Sequence, residues 1–345
     1  MAWTINNGSL FMNPTLYTGN GSTQSINVGF QPDFTWIKTR SGTTGTEGHR
    51  LQDAVRGSTK YLESNGTALE GTQAQGVTSF TSTGFNLGTD GSYNYNTAPI
   101  VSWNWKAGTT SGIVQGGASI TPSAYSFNQT SGFSIIKYQG TGANATVPHG
   151  LNAVPKMILF KSLANSISWI VYSSQLNISS SNCLRLNGTN AAFTESAWND
   201  TRPTTSVFSL GPHNEANNSS GETIAYCFAD VQGFSKMGSY VGNGSTNGTF
   251  VYTGFKPAFV LYKKSSGTEN WFMHDNKRQG YNPDNEYLFP DLSNAEGSLN
   301  RINLLSNGFK ATTSDGGING SGATYIFMAF AENPITSSTG VPSTA

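Results

Sequence analysis

Two short segments carry an acid and an arginine at a spacing that can do chemistry. The pattern occurs as Asp53 with Arg56 in LQDAVRG and again as Asp275 with Arg278 in MHDNKRQG. A carboxylate and a guanidinium this close can pair with each other, or together hold a sugar or another polar substrate. The matching place in the middle of the chain reads VYSSQL, with no acid and no arginine. We therefore favour a structural loop clamp over a substrate site.

Aromatic residues in polar loops are the second candidate for a site. Tyr93 and Tyr95 lie in GSYNYNT, Trp198 lies in ESAWNDT, and Tyr281 lies in GYNPDNEY. Sugar rings stack on aromatic faces while amide, carboxylate and backbone groups bind the hydroxyls, so such loops predict a glycan-binding surface. The alternative is that these rings pack over the ends of a β-sandwich or into an oligomer interface.

Metal and redox chemistry find little support in the residue pattern. Asp90-Gly91 and Asp315-Gly316 are oxygen-rich and could hold calcium, but they lack a dense run of ligands, so plain turns are favoured. The four histidines are scattered without ligand spacing, and Cys183 and Cys227 are expected to be small buried side chains. We expect no cofactor, no metal and no enzyme, with a glycoside hydrolase using distant carboxylates as the minority alternative.

The elements that would position these residues are set by an internal repeat. Three segments open with Tyr-x-Gly-x-Gly and lead to a Gly-x-x-Pro step and an apolar run that ends in Lys. The three opening residues are Tyr17, Tyr138 and Tyr240. Aromatic-rich strands close each segment, and Trp105, Phe228 and Phe330 are expected to be equivalent, each about 90 residues after its opening Tyr. One fold repeated three times explains this constant length.

The repeat has the chemistry of short strands joined by tight turns. Glycine allows a positive φ in the turn after the opening strand. The proline stands at the start of a strand, where its missing backbone N–H is not needed for pairing with a neighbouring strand. In FTWIK, Phe34, Trp36 and Lys38 fall on one face and Ile37 on the other, whereas MILF is apolar on both faces and reads as a more central strand. The sequence predicts an all-β protein of three tandem antiparallel β-sandwich, jelly-roll-like repeats of about 90–100 residues.

The repeats divide the chain into three units and a tail. Unit 1 is residues 1–109, unit 2 is residues 110–232 and includes a linker with one extra strand at about 118–127, and unit 3 is residues 233–332. Residues 333–345 read as an extended C-terminal tail. Because the second junction is much shorter than the first, units 2 and 3 are expected to pack closely and unit 1 to be more independent.

Composition narrows the partners. The 345 residues are only 11% charged, with 19 basic and 19 acidic side chains, so no basic field exists to collect nucleic acid or an anionic membrane. No apolar stretch reaches the roughly 20 residues of a membrane helix, and the first residues lack the charged start and apolar run of a secretory signal. Proteins that work outside the cell but lack such a signal are often released by lysis, as the proteins of virions are.

Several segments resemble phage virion proteins. VPHGLNAVPKMILFK, residues 147–161, resembles a strand–turn–strand element common in phage tail-fibre and minor tail proteins. The blocks YTGNGST…GFQPDFTWIK and YVGNGST…GFKPAFVLYK resemble a domain of unknown function repeated in virion proteins of marine phages, including cyanophages. Residues 118–142 resemble the segment between repeats in the same proteins.

The resemblance implies a class of protein, and it supplies no catalytic motif. We expect a non-enzymatic structural protein on the virion surface, of tail-fibre or knob type, made in the host cytoplasm, with loops that contact host surface glycans through many weak sites. Its expected partners are copies of itself, with a trimer favoured by analogy with fibres, other virion proteins and host polysaccharide. The alternatives are a capsid decoration or assembly protein without a host ligand and, third, a polysaccharide depolymerase.

Overall fold

In the computed structural model of the chain, which describes residues 5, 7–42, 47–278, 282 and 286–331, nearly every regular element is a β-strand. The strands of unit 1 are β1 (Met12–Thr18), β2 (Gln24–Asn27), β3 (Phe34–Thr39), β4 (Arg50–Asp53), β5 (Lys60–Tyr61), β6 (Gly71–Thr72), β7 (Val77–Thr81), β8 (Gly84–Leu87) and β9 (Pro99–Trp105). A 3₁₀ turn at Gly8–Leu10 precedes them, and the one-turn helix α1 (Gly91–Asn94) precedes β9.

Units 2 and 3 repeat this order with small differences. The strands of unit 2 are β10 (Ala124–Asn128), β11 (Phe133–Gln139), β12 (Ala145–Pro148), β13 (Pro155–Ser162), β14 (Ile170–Ser173), β15 (Asn182–Arg185), β16 (Phe193–Thr194), β17 (Val207–Leu210) and β18 (Glu222–Ala229). It also contains a 3₁₀ turn at Ile178–Ser180 and the one-turn helix α2 (Asn214–Asn217). The strands of unit 3 are β19 (Ser235–Val241), β20 (Phe250–Tyr252), β21 (Pro257–Lys264), β22 (Trp271–Asp275), β23 (Glu286–Tyr287), β24 (Gly297–Ser298), β25 (Ile302–Leu305), β26 (Gly308–Ala311) and β27 (Thr324–Ala331).

One sheet topology occurs in all three units. The main antiparallel sheets run β1-β9-β3-β4, β11-β18-β13-β14 and β19-β27-β21-β22, so the first and last strands of each unit always pair. A second small sheet packs nearby in each unit: β2-β8-β7, β12-β17 and β20-β26-β25. In unit 2 the main sheet is extended by β10 on one side and by β15 and β16 on the other. The extra strand predicted at 118–127 is therefore present, at Ala124–Asn128.

The Tyr-x-Gly-x-Gly turn is built the same way three times. A Cβ on its first glycine would stand 2.0 to 2.4 Å from a backbone carbonyl oxygen, so no other residue fits: Gly19 meets Tyr95, Gly140 meets Asn218, and Gly242 meets Gly320. The second glycine has positive φ: 65° at Gly21, 69° at Gly142 and 67° at Gly244. The opening tyrosine hydroxyl donates to the carbonyl of Tyr93, Ala216 or Ile318 at 2.6 to 2.9 Å. These bonds tie the turn to the segment just before the closing strand.

Each main sheet buries both of its faces. One face packs against the second sheet of its own unit in a private core, as Ile37 and Ile100 do in unit 1. The other face packs into one large core that takes residues from all three units. Strand β3 shows the alternation that the sequence predicts, since Phe34 and Trp36 enter the shared core while Ile37 enters the private one.

The three closing-strand aromatics that align in the repeat meet one another in this shared core. The ring centroids of Trp105 and Phe228 are 6.3 Å apart, those of Trp105 and Phe330 are 5.9 Å apart, and those of Phe228 and Phe330 are 6.0 Å apart. These nearly equal distances place a pseudo-threefold axis between the rings. The units are thus arranged around an axis and share an interior as well as closing their own.

The expectation that unit 1 is more independent than the other units was wrong. Unit 1 contributes to the shared core and contacts both other units directly. The predicted tail, residues 333–345, lies outside the described residues. None of the described helices is long and apolar enough to cross a membrane.

Candidate functional site

Both predicted Asp–Arg pairs lie in the interior, at junctions between units. In unit 1 the Arg56 guanidinium pairs with the Asp53 carboxylate through Nε, and both side chains are almost wholly buried. Arg56 also donates to the carbonyl of Leu51 at 2.9 Å. The carboxylate oxygen that accepts from Arg56 Nε also accepts a hydrogen bond of 2.7 Å from the hydroxyl of Tyr226 in unit 2, and the other oxygen accepts the backbone N–H of Arg56 at 2.8 Å. The pair therefore closes its own loop and receives a donor from the neighbouring unit.

The second pair repeats this geometry between units 3 and 1. Arg278 Nε donates to Asp275 at 2.6 Å, and Arg278 also donates to the carbonyl of Met273 at 3.1 Å. The indole Nε1 of Trp103 in unit 1 donates to Asp275 at 2.9 Å. Burial alone would raise the pKa of Asp275, but Arg278 and two backbone N–H donors outweigh it and hold that pKa below its usual value.

The middle unit has lost the whole arrangement at once. Its residues at the matching places in strand β14 and the loop after it are Ser173 and Leu176, and Leu176 packs in the shared core. The residue of unit 3 that matches Tyr226 and Trp103 is Met328, which has no polar hydrogen and also lies in the shared core. Acid, arginine and donor are thus present together or absent together, so their role is to fill one junction.

An acidic side chain completes both clamps. Arg56 lies 3.5 Å from Glu70, and Arg278 donates to Glu296 at 3.0 Å. The matching residue in unit 2 is Ala192, which packs against the shared core. The acids and arginines of both clamps are therefore paired with one another inside the protein, which gives the clamps a packing role.

Three buried lysines form a second set of contacts around the axis. Lys38, Lys161 and Lys263 end the apolar run of each repeat and stand at matching places in β3, β13 and β21. Their ammonium groups donate to carbonyl oxygens of the next unit: Lys38 to Ser293 at 3.1 Å, Lys161 to Thr67 at 3.2 Å, and Lys263 to Thr189 at 3.2 Å. Burial lowers the pKa of each lysine to about 8. The lysine at the end of each apolar run is visible in the sequence, but nothing in the sequence indicates its role.

Ring nitrogens and backbone groups repeat the same circular pattern. Three residues at matching places have a ring nitrogen within hydrogen-bond distance of a backbone carbonyl oxygen of another unit. His49, just before β4, reaches Phe289 at 2.9 Å, Trp169, just before β14, reaches Glu63 at 2.7 Å, and Trp271, at the start of β22, reaches Arg185 at 2.9 Å. Backbone N–H groups cross the same junctions: Glu296 to Arg40 at 2.8 Å, Glu70 to Leu163 at 3.2 Å, and Ala192 to Ser265 at 2.8 Å. The lysine and ring-nitrogen donors run from unit 1 to 3, from 2 to 1 and from 3 to 2, which closes a head-to-tail ring within one chain. A bond of 3.3 Å from Arg56 to the hydroxyl of Tyr226 runs the other way, from unit 1 to 2.

One pair of carboxylates deserves a chemical test because its pKa values diverge. Burial and the adjacent Glu296 raise the pKa of Glu286 to about 7. Burial would also raise the pKa of Glu296, but hydrogen bonds from Arg40 and the charge of Arg278 lower it. Such divergence is typical of catalytic acid–base pairs. Here Arg40 of unit 1 binds both carboxylates, at 2.5 and 2.7 Å, so the pair is part of the junction between units 1 and 3.

The predicted glycan-facing aromatics divide into three outcomes. Tyr93 and Trp198 are each only 1% exposed, so their assignment to a binding surface was wrong. Tyr93 packs in the private core of unit 1 and Trp198 in that of unit 2, because their short loops turn the ring inward and leave the polar neighbours outside. Tyr95 is 36% exposed and remains a surface aromatic. Tyr281 lies outside the described residues.

The loop around Trp198 nevertheless lines an open cleft. Glu195, Ser196, Asn199 and Asp200 from this loop face Ser179 to Ser181 across a volume of about 530 Å³ in unit 2. No aromatic ring lines this cleft, so it offers hydrogen bonds without a stacking surface.

Exposed aromatics that sequence reasoning missed lie on unit 3. Phe250 is 42% exposed and Tyr252 is 56% exposed, and both belong to the edge strand β20. They line adjoining clefts of about 320 and 410 Å³, which share Tyr252 and Lys236. The signal was visible as two aromatics around one valine in FVY, where the first repeat has SIN.

The oxygen-rich loops and the cysteines behave as structural elements. Asp90 caps α1 by accepting the N–H of Ser92 at 2.9 Å, and Asp315 accepts the N–H of Gly317 at 2.9 Å. Within the described ranges no three His, Cys, Asp or Glu side chains come together as a metal site. Cys183 and Cys227 are free and buried.

A family model gives the chain its class. Residues 7–334 match the model of a domain of unknown function, DUF7483, and the match spans all three units. The chain therefore belongs to the DUF7483 family. No curated protein and no solved structure matches it.

Proposed function

We propose that this DUF7483 protein is a non-enzymatic structural component of the surface of a phage particle. The segments that resemble marine phage virion proteins support the particle, and the closed ring of three units supports the structural role. A head-to-tail ring with a shared core resists local opening, because separating any two units exposes apolar surface and leaves buried donors unpaired. That property suits a protein displayed outside a cell.

The observation that carries the proposal is the use made of buried charged groups. Buried charged groups make their hydrogen bonds and ion pairs across junctions between units or within the loops that form those junctions. This holds for the clamps, the three lysines and the pair Glu286–Glu296. Interior charge is costly, and it is retained where removing one partner would leave the other unpaired. Here it specifies how three similar units recognise one another.

Particle mapping tests the proposal directly. Antibodies against the full chain, used on purified particles of the phage that encodes it, are expected to label the particle surface at a repeated position. Labelling on the tail supports a fibre or knob, and labelling on the head supports the decoration alternative. Absence of the chain from purified particles, measured by mass spectrometry, would reject the proposal.

Self-association is a separate part of the proposal. The expected partners are other virion proteins, copies of the chain and host surface polysaccharide, without nucleic acid and without membrane insertion. A homotrimer stays the favoured state, although one chain already surrounds a pseudo-threefold axis with its own three units. Sedimentation velocity of the full chain distinguishes a monomer, in which one chain supplies all three units of the ring, from a homotrimer of such chains.

The depolymerase alternative is tested at the one pair of carboxylates that resembles catalytic chemistry. If Glu286 and Glu296 only join units 1 and 3, the wild-type chain releases no reducing sugar from host envelope polysaccharide. Release of sugar that Glu286→Gln abolishes, in a variant with an unchanged melting temperature, would overturn the non-enzymatic assignment.

A further inference from the structure

The solvent-facing side of strand β20 differs from its counterparts in the other two units. Phe250 and Tyr252 flank the buried Val251, and they pair across the sheet with Lys310 and Gly308. The counterparts in unit 1, Ser25 and Asn27, are exposed and polar. In unit 2 the corresponding residues are Thr146 and Pro148. The fold therefore forms this strand twice without aromatics, so two exposed rings on unit 3 serve something other than folding.

The two rings stand at fixed positions above the sheet. Residues two apart in a strand project to the same side at a separation of roughly 7 Å. The Phe250 ring lies over Gly308, where an added Cβ would come within 3.1 Å of it. The Tyr252 side chain lies over Gly254, where an added Cβ would stand 3.6 Å from the hydroxyl oxygen and 3.8 Å from the ring. Rings that rest on glycine backbones lose little further freedom when a ligand covers their outer faces.

Polar groups surround the rings on both sides. Towards strand β19 the cleft is lined by Ser239 and, from unit 2, Gln175, which are joined by a hydrogen bond of 3.0 Å. Towards the junction with unit 2 it is lined by Asp230, Gln232 and Lys236. Aromatic faces beside amide, hydroxyl and carboxylate groups are the combination that binds sugar rings, because C–H groups stack while hydroxyls find donors and acceptors.

The charges of the cleft indicate what kind of sugar it takes. Lys236 and Asp230 form an ion pair of 3.4 Å and cancel each other, and Met237 N–H holds the Asp230 carboxylate at 2.8 Å. The remaining polar side chains in the two clefts are neutral. A polyanion would find one further positive charge beside the rings, that of Lys310 opposite Phe250, whose ammonium donates to the Asn247 side chain. A single ammonium is a weak field for a polyanion, which favours an electrically neutral ligand.

We propose that this cleft, formed by strands β19 and β20 with Gln175 of unit 2, binds a neutral carbohydrate chain that lies across Phe250 and Tyr252. Tyr252 and Lys236 line both adjoining clefts, so one extended chain can occupy them together. The inference rests on the proposed function only for the source of the carbohydrate, a host envelope; the site itself is argued from the cleft.

The test replaces the two rings by the residues that unit 1 carries. The full chain and the double variant Phe250→Ser/Tyr252→Asn are titrated by calorimetry with dextran, mannan, amylose and cellohexaose, with heparin as the anionic comparator. Wild type is expected to bind at least one neutral polymer, and the variant about tenfold or more weakly, since two stacking surfaces are lost. Leu69→Ser, which removes a 46% exposed apolar side chain of unit 1 outside the cleft, should bind as wild type does.

A second measurement needs no variant. In wild-type protein the bound polymer should slow amide hydrogen exchange in β19 and β20 and leave β2 and β12 unchanged. Binding to heparin alone, no binding to any neutral polymer, equal binding by the double variant, or protection confined to the cleft at Ser179 to Ser181 would each overturn the inference. A further outcome would also overturn it: the wild-type chain self-associates and binds no polymer, and the double variant no longer self-associates. The two rings would then form a contact between copies of the chain.

Particle mapping keeps the two proposals distinguishable. Carbohydrate binding by a chain that is absent from particles would reject the virion role and leave the cleft assigned. Particle labelling without binding would reject the cleft alone.

Discussion

The three junctions between units allow the role of Asp53, Arg56 and their counterparts in unit 3 to be compared within one chain. Where the acid and the arginine are present, the neighbouring unit supplies a tyrosine hydroxyl or an indole N–H. Where Ser173 and Leu176 replace them, the neighbouring unit supplies the apolar Met328. A buried ion pair and a well-packed apolar set of similar size can have similar stability, whereas a half-changed set leaves a buried charge unpaired. The junction therefore changes as a set.

This argument predicts strong non-additivity at the clamps. Arg278→Leu alone leaves Asp275 buried without its cation, takes one of two arginines from Glu296, and should lower the free energy of unfolding by about 3–5 kcal/mol. In unit 1, Asp53→Ser alone should be similarly harmful.

The fourfold change Asp53→Ser, Arg56→Leu, Glu70→Ala and Tyr226→Met gives that junction the residues found between units 2 and 3. It should recover a large part of the loss, as measured by urea denaturation. Losses that simply add from single to fourfold variant would contradict the argument.

The buried lysines predict a particular pH dependence. Burial lowers the pKa of Lys161 to about 8, below the roughly 10.4 of an unfolded lysine, so between these values the unfolded chain binds more protons. Stability therefore rises with pH across this window, by at most about 1.4 kcal/mol per pH unit for one lysine. The neutral amine keeps N–H donors for Thr67, so the contact survives deprotonation.

Lys161→Met isolates this contribution. The difference in unfolding free energy between wild type and this variant should grow from pH 8 to pH 10, as measured by urea denaturation at fixed ionic strength. Lys137→Met is the matched control variant, because it removes a half-buried lysine that pairs with Glu222 and, among the described residues, donates to no other unit's carbonyl. A difference that shrinks with pH would show that the ammonium charge itself stabilises the junction.

Residue roles were predictable only where the repeat gave a comparison. The absence of the Asp–Arg pattern from the middle unit led to a structural role for the clamps. Tyr93 and Trp198 had no such guide, and polar neighbours do not reveal which way a ring points in a one-turn helix or tight loop. Phe250 and Tyr252 would have been found by asking which repeat alone has aromatics at alternating positions of a strand.

At the scale of elements, the Tyr-x-Gly-x-Gly turn contains glycines of two kinds. Gly140 is required by space, because an added Cβ would lie 2.2 Å from the carbonyl oxygen of Asn218. Gly142 is required by conformation, with φ of 69°, and its nearest neighbour would lie at an ordinary 3.4 Å. The conserved-looking spacing within this one chain thus has two separate physical causes.

The two causes predict different costs. Gly142→Ala should lower stability by about 1–2 kcal/mol, the cost of a left-handed backbone at alanine. Gly140→Ala should cost about 3 kcal/mol or more, because backbone must move to admit the methyl group. Thermal melting of both variants checks the order, and an equal loss would show that the turn can shift to make room.

Element identity was largely readable from the sequence. Strand starts at proline, the alternation in β3 and the central place of β13 follow from residue type and period two. The short run Leu51, Gln52 and Asp53 has no clear period of its own, and tertiary packing holds it extended and buried in β4. Local preference is weak over so few residues, and pairing with β3 decides the outcome.

At the scale of the whole molecule, the ring could not be predicted from the sequence. Its recurring acceptors are backbone carbonyls, such as those of Thr67, Thr189 and Ser293, and a carbonyl has no sequence signature. The short second junction suggested a close pair of units and a separate first one. Position along the chain is a poor guide when the last unit also packs against the first.

A shared interior makes the units dependent on one another. An isolated unit 3, residues 233–332, would expose Phe259, Trp271, Met328 and Phe330, which the shared core buries in the full chain. The fragment is expected to bind a hydrophobic dye and to aggregate or melt without a cooperative transition, whereas the full chain should unfold in a single step seen equally by fluorescence and circular dichroism.

A circular permutant provides the control for chain cutting. The 3₁₀ turn at Gly8–Leu10 contacts the last described strand, β27, so a short linker can join Ala331 to Asn7, and new ends can open between Gly116 and Gly117 in the exposed segment before β10. This permutant keeps every residue of the ring and should melt close to wild type. If isolated unit 3 instead folds cooperatively while the permutant does not, covalent order rather than the shared core would be what holds the three units together.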